Sequence, residues 1–217
     1  MIDFVARHWQ QLLPGAGVTV AATVVIVPLF VTTGFLLAIG RLMGPAAVRW
    51  AVVAVVEAVR GTPTLVQLFW VFYALPFFGV FLDPLPAGVA TLTVSFGAYA
   101  SEIFRAGIQS VPTGQLEGAR VLGMSRLTIM RRVILPQAVV ISVPALGNQV
   151  IEVFKATSLF SLIAAGDIVF HARHLLLQTL TPTPVWIMVG LFYFAISFPA
   201  SVLLVRLEHR LTRSMRQ

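Results

Sequence analysis

The chain runs from Val18 to Gly40 without a single charged residue. A stretch of roughly 20 apolar residues spans the ~30 Å hydrocarbon core of a bilayer as one α-helix. Four further segments have similar character: 50–78, 87–111, 137–163 and 185–207. Lipid offers no partner for backbone polar groups, so such segments form helices or a closed barrel, and uninterrupted apolar runs of this length select helices. The composition agrees. Hydrophobic residues make up 58% and charged residues 11% of the chain, against about 45–50% and about 25% in soluble domains. The first run exceeds the 7–15 apolar residues, or about that, of a cleavable signal, so it reads as a retained span. The expectation is an all-α membrane protein with about five transmembrane helices, organised as a single domain over 1–217.

Arginine placement predicts the orientation. Arg41 and Arg49 follow span one, and Arg120, Arg126, Arg131 and Arg132 lie between spans three and four. Arg206, Arg210, Arg213 and Arg216 lie at the C-terminus, while the alternate sides carry Arg7 and Arg173. The arginine-rich side is cytoplasmic by the positive-inside rule. With five spans the N-terminus is outside and the C-terminus inside. The net charge of +7 is then a topology signal, and nucleic acid is not an expected partner. Cysteine is absent, which removes disulfides, thiolate nucleophiles and Cys-based metal sites.

Residues 112–136 have helical character but too little apolar length to span. Leu116, Ala119 and Met124 fall on one side, and Leu127, Met130, Val133 and Ile134 recur at helical spacing. Gly123 suits a left-handed helix end, Ser125 suits an N-cap, and Pro136 is expected to end the second helix. The pattern predicts a helix–turn–helix elbow projecting from the membrane. Chemistry alone leaves two uses open: lying on anionic headgroups, or docking to a cytoplasmic partner.

Besides Arg206 at the very end of span five, six charges fall inside the predicted spans: Glu57, Arg60, Glu102, Arg105, Glu152 and Lys155. Each acid precedes its base by three residues, which places the two side by side on one helix face. A charge at mid-bilayer costs about 2.5–3.5 kcal/mol on insertion scales, so each requires a partner or a wet cavity. Glu57 and Arg60 on span two can cross-pair with Glu102 and Arg105 on span three, as structural ion pairs. Glu152 and Lys155 sit beside Asn148, Gln149, Thr157 and Ser158, where a carboxylate and an ammonium can hold the two ends of a zwitterion. Gly61-Thr62-Pro63 breaks span two, because Pro63 removes a helical hydrogen bond; it reads as a packing kink or as a flexing point. His171 and His174 lack adjoining ligands for a metal and read as a solvated outer loop, with Asp167 a gate candidate nearby.

The elbow resembles the coupling loop of ABC importer permeases, in which Glu-Ala-Ala, three residues, Gly, nine residues and an Ile-x-Leu-Pro-like ending recur. Glu117, Ala119, Gly123 and Pro136 match that spacing. Gly118 and Val133 depart from it, standing where Ala and Ile are usual. Three further stretches resemble the polar amino acid uptake branch of that family. They are Glu57-Ala-Val-Arg60-Gly61-Thr62-Pro63 with Gln67, Gly97-Ala98-Tyr99 through Glu102 and Arg105 to Ser110, and Leu146-Gly147-Asn148-Gln149 with Lys155, Thr157 and Ser158. Ala156 departs, since an acidic or polar residue often follows the lysine. The resemblance covers roughly residues 50–165.

This resemblance implies a type I permease subunit in a bacterial inner membrane. Its elbow (Glu117, Gly118, Ala119, Gly123, Pro136) couples to a cytoplasmic ABC ATPase dimer, and a periplasmic or lipid-anchored binding protein delivers an amino-acid-like substrate. Membrane lipid and a second permease subunit, identical or homologous, complete the expected partners. The expected substrate pathway includes Ser95, Tyr99, Glu152, Lys155 and Ser158, and the gating or structural set is Glu57, Arg60, Gly61, Pro63, Glu102 and Arg105. No catalytic or metal residue is expected. A phosphate-binding loop places lysine after glycine, yet the only lysine, Lys155, follows Phe154. Any ATP and Mg therefore sit on the separate ATPase, and this chain carries no cofactor. Two alternatives from other classes are a proton-coupled secondary transporter and an intramembrane enzyme using Glu57 or Glu102 with water.

Overall fold

The computed structural model describes residues 2–215, with side chains described for 3–208; Arg210, Arg213 and Arg216 of the orientation argument lie outside those side chains. Most of the described residues are helical, with no strand among them. Helix α1 (Ile2–Met43) runs well beyond the predicted first span. It is followed by α2 (Ala46–Arg60) and α3 (Thr64–Phe69), the latter extended by a π turn and a 3₁₀ turn to Phe78. Helix α4 (Pro84–Gln109) leads to the elbow helices α5 (Thr113–Val121) and α6 (Arg126–Ile129). Helix α7 (Leu135–Ala156), a 3₁₀ turn (Thr157–Ile163), α8 (Ile168–Thr179) and α9 (Pro182–Met215) complete the chain.

Among the described residues, three helical stretches are long and apolar enough to cross a membrane: Asp3–Met43, Arg126–Ile163 and Pro182–Glu208. The 26-residue α4, about 39 Å long, lies at the centre of the bundle against α1, α3 and α7. The predicted second span differs most from expectation. Its two limbs, Ala46–Arg60 and Thr64–Phe78, are bent by 103°. A 15-residue limb reaches only about 22 Å, so neither crosses alone. The cause is local: Pro63 has no amide to donate to the preceding turn, and α2 stops at Gly61.

Pro136 corrects the sequence reading. It does not end the second elbow helix, because the helical run is continuous from Arg126 to Ile163. A π turn over Met130–Ile134 ends two residues before the proline. Such a turn shifts the hydrogen-bond register, so the carbonyls facing a proline ring are accommodated and the helix continues.

The core is layered along the bundle. Ala22, Ile26 and Phe30 of α1 meet Leu92 and Ala100 of α4 and Val153 of α7 at its centre. One end is closed by Leu12, Ile168, Ala172, Leu175 and Val185. The other is closed by Ile108, Val111, Ala119, Ile129, Ile134 and Ala138, which seat the elbow. Helices α1 and α4 cross at small residues. A Cβ at Gly34 would lie 2.5 Å from that of Ala100, and one at Gly97 would lie 2.9 Å from Thr33. Between membrane helices, where lipid supplies no hydrophobic drive, close backbone approach of this kind maximises dispersion contact.

Candidate functional site

Four features carry the chemistry. The first is the elbow. Helix α5 ends in a turn where Gly123 takes φ 72°, its amide donates to Arg120 O, and the Met124 amide donates to Ala119 O. This is a Schellman-type end, which glycine enters without steric penalty. Ser125 Oγ then caps α6 by accepting from the Thr128 amide at 3.3 Å. Ala119 is buried against Ile129 and Ile134, and Gln137 Nε2 donates to Gln115 Oε1 at 2.5 Å across the hinge. Glu117 and Gly118 are exposed, and Val121 and Leu122 stand outward at 88% and 80% exposure. The Gly123 turn places these two at the tip of the elbow.

The second feature is a charged hub. Glu102 on α4 receives Arg105 Nε and Nη2 at 2.8 and 2.6 Å, pairs with Arg41 of α1, and lies 3.9 Å from Arg60 of α2. Glu57 completes the set at 3.6 Å from Arg60. The predicted cross-pairing of spans two and three is present, but Arg41 had been assigned only to topology. Its side chain returns from the end of α1 toward the hub. One carboxylate thus ties three helices. Surrounded by three guanidiniums, Glu102 is committed to ion pairs, and this argues against its use as an enzymatic base.

The third feature is the break in span two. Gln67 Nε2 donates to Val59 O at 2.7 Å and to Thr62 O at 2.8 Å. Thr62 Oγ1 donates to Ala58 O, and Tyr99 OH donates to Arg60 O at 3.4 Å. The carbonyls released at Pro63 therefore find side-chain donors, as they must where lipid surrounds them. Ser95, fully buried, shares a hydrogen bond with Thr64 Oγ1 at 3.0 Å and secures α3 to α4. Tyr99 also lies under the Arg60 guanidinium, 5.7 Å from its ring centre.

The fourth feature is the Glu152–Lys155 pair on α7, at 3.0 Å, with side chains 60% and 50% exposed. It is adjacent to Val153, a residue of the central core. Ser158 lies one turn on and accepts from Ser161 through its carbonyl. The structure brings Glu152 and Lys155 together, whereas Ser95 and Tyr99 serve the break and the hub. Next to Lys155, a groove of about 400 Å³ runs between α7 and α9, lined by Tyr193, Phe194, Ser197, Phe198 and Ser201. Nothing in the sequence reading had singled out α9.

Asp167, beyond the end of the α7 span, is fully buried and caps α8. Its two oxygens accept from the amides of Val169 and Phe170 at 3.0 and 3.3 Å. Burial nevertheless pushes its carboxyl up to about 6. Gly15 of α1 lies against it, where a Cβ would stand 2.6 Å from the Asp167 carbonyl oxygen. His174 and Arg173 are exposed, and no group of three or more potential metal ligands occurs among the described residues.

Comparison with known proteins adds family context. A family model described as "Binding-protein-dependent transport system inner membrane component" matches residues 30–213. The chain is 38% identical over 206 residues to the L-cystine transport system permease protein TcyB of Bacillus subtilis, covering 94% of this chain and 88% of that protein. It is 33% identical to the glutamine transport system permease protein GlnP of Escherichia coli K12, covering 92% of each. A crystal structure of an amino acid ABC transporter with histidines superposes with TM-score 0.90 at 33% identity, covering 95% of this chain and 96% of that one. The MetNI methionine ABC transporter shares the fold, with TM-score 0.70 at 21% identity.

Proposed function

The chain belongs to the family of binding-protein-dependent transport system inner membrane components, and from that premise we propose how its parts divide the work of import. It is a membrane-spanning permease subunit of an ATP-driven ABC importer in the inner membrane, and ATP is hydrolysed on a separate ATPase. The family implies that ATPase and a substrate-binding protein as its partners.

The finer assignments are ours. The cargo is an amino acid or a closely related zwitterion. The permeases it resembles move L-cystine and glutamine, and the Glu152–Lys155 pair offers one acceptor and one donor of opposite charge. Two permease subunits, identical or homologous, enclose the pathway. Exposed charges on an otherwise apolar span are costly against acyl chains, which favours a wet, subunit-lined face for Glu152 and Lys155. The elbow seats in the cytoplasmic ATPase dimer, and nucleotide-driven closure of that dimer moves the elbow and, through its continuous helix, α7. ATP and Mg remain on the ATPase, with no cofactor held by this chain.

The elbow tip carries this reading. Val121 and Leu122 are nearly fully exposed on the arginine-rich side, beside Glu117, while Ala119 anchors the same helix inward. Unpaired apolar residues held rigidly outward favour a protein groove. The test is reconstitution of the complete importer in proteoliposomes, with Leu122→Asp compared against wild type. The expected result is loss of binding-protein-stimulated ATP hydrolysis and of uptake. Unchanged hydrolysis and uptake would remove the elbow from the coupling route.

A further inference from the structure

The groove between α7 and α9 has a composition that matches one kind of solute. Among the described residues its only charged lining residue is Lys155; the remainder are Tyr193, Phe194, Ser197, Phe198 and Ser201. Phe194 and Phe198 stack with ring centres 5.1 Å apart and planes 17° from parallel. Both are more than half exposed, so the ring pair forms an open apolar wall. Ser197 Oγ is buried and has no hydrogen-bond partner among the described residues.

We propose that the Glu152–Lys155 pair receives the head group of a zwitterionic amino acid, and that the Phe194–Phe198 wall selects an uncharged, largely apolar side chain. The proposal rests on the importer reading and specifies its substrate class. The physical argument is one of charge balance. An incoming ammonium replaces Lys155 at Glu152, and an incoming carboxylate replaces Glu152 at Lys155. Each charge exchanges one opposite partner for another, so neither is left unpaired. A solute carrying an additional charge would bring it to a wall with no counter-charge among the described residues, and nothing there offsets what desolvation it suffers. The groove volume of about 400 Å³ lies within the range of small-molecule sites. The hydroxyls of Tyr193, Ser197 and Ser201 are the uncharged hydrogen-bonding groups of that lining.

The test is direct binding to the permease–ATPase complex in lipid nanodiscs, without the binding protein, whose own selectivity would mask that of the groove. The probes are radiolabelled L-phenylalanine, L-methionine, L-arginine and L-glutamate. The two uncharged probes are expected to bind about tenfold or more tightly than the two charged ones, the scale of discrimination typical of a shaped apolar pocket. Phenylalaninamide, which lacks the carboxylate, is expected not to compete. Phe194→Ala is expected to weaken phenylalanine binding by about tenfold, and Phe194→Leu to retain most of it. Unchanged elution with the ATPase excludes misfolding of either variant. Equal binding of all four probes, binding of none, or an unchanged Kd in Phe194→Ala would overturn the proposal. Binding-protein-stimulated ATP hydrolysis on the same preparation tests the importer reading separately, and persists if only the groove assignment is wrong.

Discussion

Gln67 reaches back across the 103° break to Val59, and its Nε2 donates to the Val59 carbonyl at 2.7 Å. The same nitrogen also serves Thr62 O. One amide therefore closes the end of α2 from the following helix, so the angle between the two limbs depends on a side chain as well as on Pro63. Gln67→Leu keeps the approximate size and removes the donor. It should lower stability by about 1–3 kcal/mol, the cost of an orphaned polar group. Thermal unfolding in detergent measures it, and a Tm equal to wild type would show that water replaces the amide.

Glu102 is the hub's shared carboxylate, whereas Glu57 pairs with Arg60 alone among the described residues and is 58% exposed. Removing the hub leaves three arginines without their common partner. Glu102→Gln should therefore destabilise on the order of 3 kcal/mol, and Glu57→Gln by well under about 1 kcal/mol, as exposed pairs do. Parallel denaturation of the two variants decides it; equal effects would contradict the asymmetry.

Gly123 holds φ 72° at the elbow turn. A β-branched residue there meets a penalty of about 1–2 kcal/mol, and relieving it reorients Val121 and Leu122. Gly123→Val should reduce coupled transport severely while the membrane helices remain folded. Far-UV circular dichroism alongside uptake checks this, and full uptake would show that the tip tolerates another turn.

Asp167 links pH to stability. Its folded pKa of about 6 lies above the ordinary value of 3.8. The folded state therefore holds this proton more tightly than the unfolded chain does. Its contribution is most favourable below about pH 4 and is lost as pH rises through about 6. The full difference is on the order of 3 kcal/mol. Asp167→Asn retains an oxygen that caps α8 and removes the buried charge. It should flatten the Tm profile between pH 4 and 6, or about that, and raise Tm at pH 8. A profile parallel to wild type would move the titration elsewhere.

The close crossing of α1 and α4 gives a purely steric prediction. Gly97→Val inserts atoms where even a Cβ stands 2.9 Å from Thr33. The two helices must separate, and the expected result is poor assembly with the ATPase, seen as loss of co-purification. Normal recovery of the complex would mean that the crossing can adjust.

Local chemistry made much of this protein legible from its residues. Apolar runs longer than a bilayer is thick require helices, because backbone groups in lipid must satisfy one another. Gly123, Ser125 and Pro63 each impose a turn, a cap and a break through their own covalent geometry, and all three occur where expected. The Glu–Arg and Glu–Lys spacings of three residues likewise set which charges share a helix face. Tertiary structure decided what depends on distance between helices. It set the 103° angle at the break and returned Arg41 to Glu102. It committed Ser95 and Tyr99 to α3 and α2, carried the helix through Pro136, and set the α9 aromatics beside Lys155. Sequence spacing constrains neighbours within a helix. Contacts between helices depend on how close small residues let them approach and on which buried polar atoms must find partners, and neither is set until the bundle has packed.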